Sequence, residues 1–150
     1  TQTSTDQTNV DYWVRQSLCH IIYSGVLVRY PSLRFVILEH ELSWVPFFLN
    51  RLDFVYKTFP PLSPMRFKGD TLPSDFMRQN VSHSFEEDGL GIQLRSIIGV
   101  DTLMWAADYP HVESTFPRSR EILAEILEGV PDDEIAKIVG GNAARLYKLV

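Results

Sequence analysis

The sequence predicts an α/β fold built from parallel βα units, and three observations carry that prediction. Residues 33–38 (LRFVIL) and 102–107 (TLMWAA) are short, mostly apolar runs of the length that suits a strand buried on both faces, and residues 80–85 (NVSHSF) alternate as a short strand. Between and after these runs lie stretches whose apolar residues recur at helical spacing. Charged residues collect where the strands end, Glu39, His40 and Glu41 after the first and Asp108 after the last. Strands alternating with amphipathic helices make βαβ units and a parallel sheet.

The elements follow in order. A polar opening, residues 1–9 (TQTSTDQTN), is too hydrophilic to pack and is expected to be a disordered stretch or linker remnant, with the folded domain over 10–150. Val10, Val14, Leu18, Ile21 and Ile22 predict a first helix, with Asp11 near its positive end, Gly25 at its stop, and one further turn before Pro31. After the first strand, Ser43 is placed to cap a helix with Pro46 in its first turn, where a missing N–H is harmless. Val45, Phe48, Leu49, Leu52 and Val55 form its apolar stripe, and Phe47, Phe54 and Tyr56 an aromatic surface. Residues 58–74, with Pro60, Pro61, Pro64 and Pro73, show no periodicity and read as a long, partly ordered excursion of a kind that is often functional.

Behind the second strand, Glu86-Glu87-Asp88 puts acid at the start of a helix, with Leu90, Leu94, Ile97 and Ile98 as its buried stripe and Gly99 as its stop. Ser119 is a cap for a helix holding Ile122, Leu123, Ile126 and Leu127. Pro131 opens another that Gly140-Gly141 ends, and Asn142 caps a last short helix over 143–149.

Composition narrows the function classes. The 150 residues suffice for one domain with a sizeable core, and 45% hydrophobic with 22% charged residues is an ordinary globular balance. A net charge of −5 with no Lys/Arg cluster argues against a nucleic-acid partner. No apolar stretch approaches the roughly 18 residues of a membrane span, so no membrane partner is expected. The lone Cys19, set in a helical pattern, excludes an internal disulfide, fits a reducing cytoplasm, and reads as a buried inert thiol. The start at Thr1 inside a polar run suggests the trailing part of a longer protein.

Asp108 is the first charged residue after the third apolar run, with Tyr109, Pro110 and His111 directly behind it. A carboxylate where a buried strand gives way to a loop is where α/β folds place their chemistry, and Pro110 cannot continue the ladder. The competing reading is a turn residue, because Asp-x-Pro is a common way to leave a strand. His83 shares a face with Val81 and Phe85 and reads as a packed or hydrogen-bonded core histidine, whereas His20, in a helical stripe, carries no signal. Trp44 and Trp105 read as packing residues, and Trp13 as either buried or a surface anchor.

The segments YPSLRFVILEHELSWVPFFLNRLD, LPSDFMRQNVSHSFEED, GVDTLMWAADYPHVESTFP and GGNAARLY together resemble the amidohydrolase-related family, in register from about Leu18 to the C-terminus. That family includes the aminocarboxymuconate-semialdehyde decarboxylase type, aromatic-acid decarboxylases and many uncharacterised hydrolases. The resemblance implies a metal-dependent TIM-type (β/α)8 barrel, of which this chain is the C-terminal part, about strands 6–8. It implies that Asp108, in the Asp-Tyr-Pro-His motif, binds a divalent metal, zinc by expectation, and acts as a base. Many members carry His followed by Gly-Gly at the end of strand 6; here Glu39 takes the His position. A Glu-Gly-Gly variant occurs among relatives. His40 replaces a small residue and is a ligand, a substrate contact or a loop residue, and His111 is a residue that orients a ligand or touches substrate.

The expected metal ligands are therefore Asp108, Glu39 and His40, and the expected catalytic residues Asp108 and His111. The strand-1 His-x-His or acidic pair and the strand-5 His of the family have no counterpart in this sequence. Two readings follow. One is the C-terminal portion of a metal-dependent hydrolase or carboxy-lyase acting on a small carboxylic or cyclic molecule, and inactive by itself. The other is a noncatalytic, truncated or degenerate homologue serving as a structural or interaction piece. Open strand edges in either case predict a homo-oligomer or a missing N-terminal barrel half as partner.

Overall fold

The computed structural model describes residues 3–63 and 65–149 and divides the chain into two units, Thr1–Phe35 with Phe47–Val81, and Val36–Pro46 with Ser82–Val150. Thr1 and Gln2 of the expected linker, Pro64 of the expected excursion, and Val150 at the end of the expected domain lie outside the described residues.

Helices make the first unit. Within the polar opening, α1 (Ser4–Thr8) is a single short helix with a capping box between Thr3 and Asp6, and it buries nothing. Helix α2 (Tyr12–Tyr23) begins behind Asp11, which pairs with Arg15 at 2.6 Å, and buries Leu18 and Ile22. Gly25, at φ 72°, supplies the left-handed residue that ends it before α3 (Val26–Arg29). Cys19 is half-buried and burial raises its thiol pKa, which suits an inert thiol.

Helix α4 (Val45–Thr58) keeps its expected stripe, with Phe48, Leu49 and Leu52 buried in this unit, while Phe47 and Phe54 stay exposed. Tyr56 departs from the aromatic surface expected of it, being only 4% exposed. It lies four residues beyond Leu52, on the stripe, and its ring stacks on Phe67 at 5.0 Å. Its hydroxyl accepts the Phe67 N–H at 2.6 Å, and its carbonyl takes the Arg66 guanidinium at 2.7 Å. Tyr56 thus pins the Pro-rich excursion onto α4. The excursion also ends earlier than expected, in α5 (Pro73–Asn80), where Pro73 starts the helix and Asp53 accepts both the backbone N–H and the hydroxyl of Ser74, at 2.9 and 2.7 Å.

The second unit holds the sheet. Strands β1 (Phe35–Ile37), β2 (Val81–Phe85) and β3 (Leu103–Trp105) run in the order β1-β2-β3, and β2 pairs in parallel with β3, Ser84 opposite Met104. Each strand is shorter than the stretch that predicts it. At β3 the reason is local: Thr102 closes a turn onto the Gly99 carbonyl through both its N–H and its hydroxyl.

The helix behind β2 differs from the expectation. It comes as two short pieces, α6 (Gly89–Gln93) and α7 (Arg95–Ile98), with a break at Leu94. The break shifts the phase, so Gly91, Ile92 and Ile98 are buried while Leu90 and Ile97 are exposed. Ser43 does not cap α4; its hydroxyl donates to Asp88 at 2.5 Å. Ser119 is the first residue of α8 (Ser119–Ile126), its hydroxyl bonded to Thr115, rather than a cap. After α9 (Asp132–Ala136), Gly140-Gly141 kink the chain without ending it, and α10 (Asn142–Tyr147) follows directly.

Asn142 likewise does not cap. It is 2% exposed, and its amide donates to the carbonyls of Val100 and Leu103, both at 2.8 Å, fastening α10 to the start of β3. Asn142→Leu would leave both carbonyls without their donor and should cost about 2–4 kcal/mol of unfolding free energy. Urea titration would measure this, and a loss below about 0.5 kcal/mol would show that the clamp contributes nothing. No helix among the described residues is long and apolar enough to cross a membrane.

Candidate functional site

The loops that leave β1 and β3 hold the acidic residues that the sequence singles out, and the backbone marks them. Glu39 at φ 61°, Glu41 at φ 51° and Asp108 at φ 51° all occupy the left-handed region without being glycine. Such residues cost about 1–2 kcal/mol each and persist where the surroundings hold them, which is common at functional sites. Glu39 and Asp108, with Tyr109, Pro110 and His111, line an open cavity of about 290 Å³.

Asp108 lies three residues past β3, in the loop rather than on the strand itself. The first step beyond the strand still bonds to the sheet, with the Ala106 N–H on the Phe85 carbonyl at 3.0 Å. The Ala107 carbonyl then takes the Thr115 N–H at 3.1 Å and the Ser114 hydroxyl at 2.7 Å, which closes the loop on itself. Asp108 Oδ2 sits 2.8 Å from His111 Nδ1, and the His111 N–H bonds the Asp108 carbonyl at 2.8 Å. The Asp108 side chain is largely covered while His111 is more than half exposed, so the carboxylate is the fixed partner and the imidazole the accessible one.

A third acid was missed in the sequence. Glu86, one residue past β2, is 8% exposed. Burial lifts its carboxyl to about 7, helped by the charges of Asp108, Glu41, Glu113 and Glu39. The alternation Ser82, Ser84, Glu86 is the available signal, but charge at a helix start is a sufficient local explanation of the Glu-Glu-Asp run. Ser84, on the same alternation, accepts the Glu39 N–H at 3.3 Å. Glu41 is raised too, first by burial, while the N–H groups of Glu87 and Glu86 that it accepts hold it down.

The amidohydrolase family model matches residues 14–149. The chain belongs to the amidohydrolase family. Among solved structures, this amidohydrolase chain is similar to an amidohydrolase from Mycobacterium avium subsp. paratuberculosis, with 28% identity, a TM-score of 0.77, and coverage of 97% of this chain and 36% of that one. It is also similar to 5-carboxyvanillate decarboxylase from Sphingomonas paucimobilis, at 26% identity and TM-score 0.72, covering 87% and 38%. Dihydroxybenzoic acid decarboxylase from a Polaromonas species, solved with manganese and the inhibitor 2-nitroresorcinol, shares the fold at 19% identity and TM-score 0.71, covering 90% and 40%. The chain thus spans well under half the length of these proteins. No protein of curated function matches it.

An amidohydrolase of this kind raises the question of a metal. Glu39 and Asp108 offer hard oxygen donors around one cavity, chemistry that suits a divalent cation. Yet among the described residues no group of three or more His, Cys, Asp or Glu is placed to hold a metal ion. The described residues by themselves do not make a metal centre. His40 is not among the residues lining the cavity; its Nδ1 is buried without a partner and its carbonyl accepts the Trp44 indole at 2.7 Å. His83 is the packed core histidine expected, 2% exposed and edge-on to Trp44 at 5.8 Å, and burial lowers it to about 4.

Proposed function

We propose that this chain carries the last strands, about 6–8, of an amidohydrolase barrel and supplies one wall of a site that hydrolyses or non-oxidatively decarboxylates a small carboxylic or cyclic molecule. The observation that supports it is the Asp108–His111 pair, held at a strand end across one cavity from Glu39. In this reading Asp108 accepts a proton from the attacking water or the substrate. His111 donates through Nδ1 to Asp108 and turns its exposed face to the substrate. Asp108 and Glu39 are the residues offered to a divalent metal whose other donors lie outside the described residues, while His40, expected as a third ligand, does not line their cavity. Zinc and manganese are both candidates, and two carboxylates favour manganese. The cytoplasm is the proposed compartment, and the remaining barrel strands or a second copy are the proposed cover for the outer sides of β1 and β3.

A second reading, a noncatalytic homologue, draws on the absence of a three-donor group among the described residues. One experiment separates the two. The purified protein is titrated with manganese and with zinc, then assayed for carbon dioxide release from hydroxylated benzoates and for opening of small lactones and lactams. Metal-dependent turnover of either class supports the enzyme. Failure to bind either metal, with no turnover of any substrate, leaves the noncatalytic reading.

A further inference from the structure

Glu39 reaches the cavity from a loop in which it and Glu41 both hold left-handed backbone. A glutamate gains nothing intrinsic from that conformation, so neighbouring groups must hold the loop. The holding group is Asp88. Its Oδ2 accepts the backbone N–H groups of Leu42 and Ser43 at 2.8 and 2.6 Å, and its Oδ1 accepts the Ser43 hydroxyl at 2.5 Å. The same Oδ1 accepts the Gly91 N–H at 2.7 Å, at the start of α6. An N-cap needs only that last bond. The other donors come from the loop behind β1, and bonds to an ionised carboxylate are the strong kind.

The exchange runs both ways. The Glu41 carboxylate accepts the N–H groups of Glu86 and Glu87, each at 3.3 Å, so each loop lends a carboxylate to the other loop's backbone. Gly91 permits the approach: a Cβ there would fall 2.4 Å from Leu42 Cβ and 2.8 Å from Asp88 Oδ2.

We propose that Asp88 is a positioning residue of this site, its carboxylate holding the 39–43 loop in the conformation that presents Glu39 to the cavity it shares with Asp108 and His111. This rests on the reading that Glu39 belongs to the site. Asparagine at 88 keeps the shape but can accept through one atom only, so D88N must lose donors on one side of the clamp.

The test is solution NMR of the wild-type protein, D88N and the milder S43A, which removes only the hydroxyl bond. Carbon chemical shifts and three-bond HN–Hα couplings at Glu39 and Glu41 report the sign of φ. The expected result is loss of the left-handed signature at Glu39 in D88N, with amide exchange at Leu42 and Ser43 at least about tenfold faster, and a smaller change of the same kind in S43A. A role confined to capping α6 would fray residues 89–93 and leave Glu39 and Glu41 untouched in both variants, which would overturn the proposal. Should D88N not fold, S43A decides. Manganese added to the wild-type protein tests the function reading separately: unbroadened Glu39 and Asp108 amides would count against a metal site there and leave the Asp88 result standing.

Discussion

Asp108→Asn is expected to lower turnover at least about a hundredfold while leaving the melting temperature within a few degrees of wild type. The two halves of that expectation have different causes. Asp108 sits at φ 51°, a conformation that asparagine tolerates as well as aspartate, so the backbone has no reason to move. Its contact with His111 is partly exposed on the histidine side and contributes little to stability. What the substitution removes is the carboxylate at the cavity, and with it the base proposed above. His20→Asn, on an exposed position of α2, is the control and should change neither quantity. Near-normal turnover in the Asp108 variant, measured with the substrate that the assay above identifies, would return Asp108 to a turn residue.

The second large effect is on stability below neutral pH. His83 is buried with no partner for Nδ1, and its pKa is lowered from 6.5 to about 4. The unfolded chain therefore takes up the proton first, so stability falls as pH drops from about 6.5 and is fully lost to this residue below about 4. The gap corresponds to about 3 kcal/mol. Glu86 works in the opposite sense: its pKa is raised, so its contribution is present below the ordinary glutamate range and fades as pH rises through about 7. Thermal melts of wild type, His83→Leu and Glu86→Gln between pH 8 and pH 4 separate them. The stability of His83→Leu relative to wild type should grow steadily over the acid range. Glu86→Gln should gain on wild type as pH rises from about 4.5 to about 7 and hold that gain above it. Parallel curves for wild type and His83→Leu would show that His83 does not carry the acid sensitivity.

The legible parts of the site were those written in one short stretch. Asp108, Tyr109, Pro110 and His111 adjoin in sequence, and the structure keeps them together around one cavity. Glu39 was legible because it directly follows an apolar run. Glu86 and Asp88 were not, because an acidic run before a helix has a sufficient local explanation in the helix dipole. Only the pairing of strand ends brings Glu41 to the Glu86 and Glu87 amides and Asp88 to Leu42 and Ser43, contacts 45 and 46 residues apart along the chain.

The same division runs through the fold. Hydrophobic runs and spacing, which depend on each residue's own chemistry, determined the strands near 35–37, 81–85 and 103–105, the parallel βα order and the long helices. Capping assignments failed at Ser43, Ser119 and Asn142 because a hydroxyl or amide bonds whichever partner lies nearest in space, and tertiary structure brought Asp88, Thr115 and the Val100 and Leu103 carbonyls nearer than the helix ends. Tyr56 was drawn inward for a related reason: a ring on the stripe finds Phe67 once the excursion folds back. Apolar pattern is a property of the chain, whereas the partner of a polar group is a property of the packed structure.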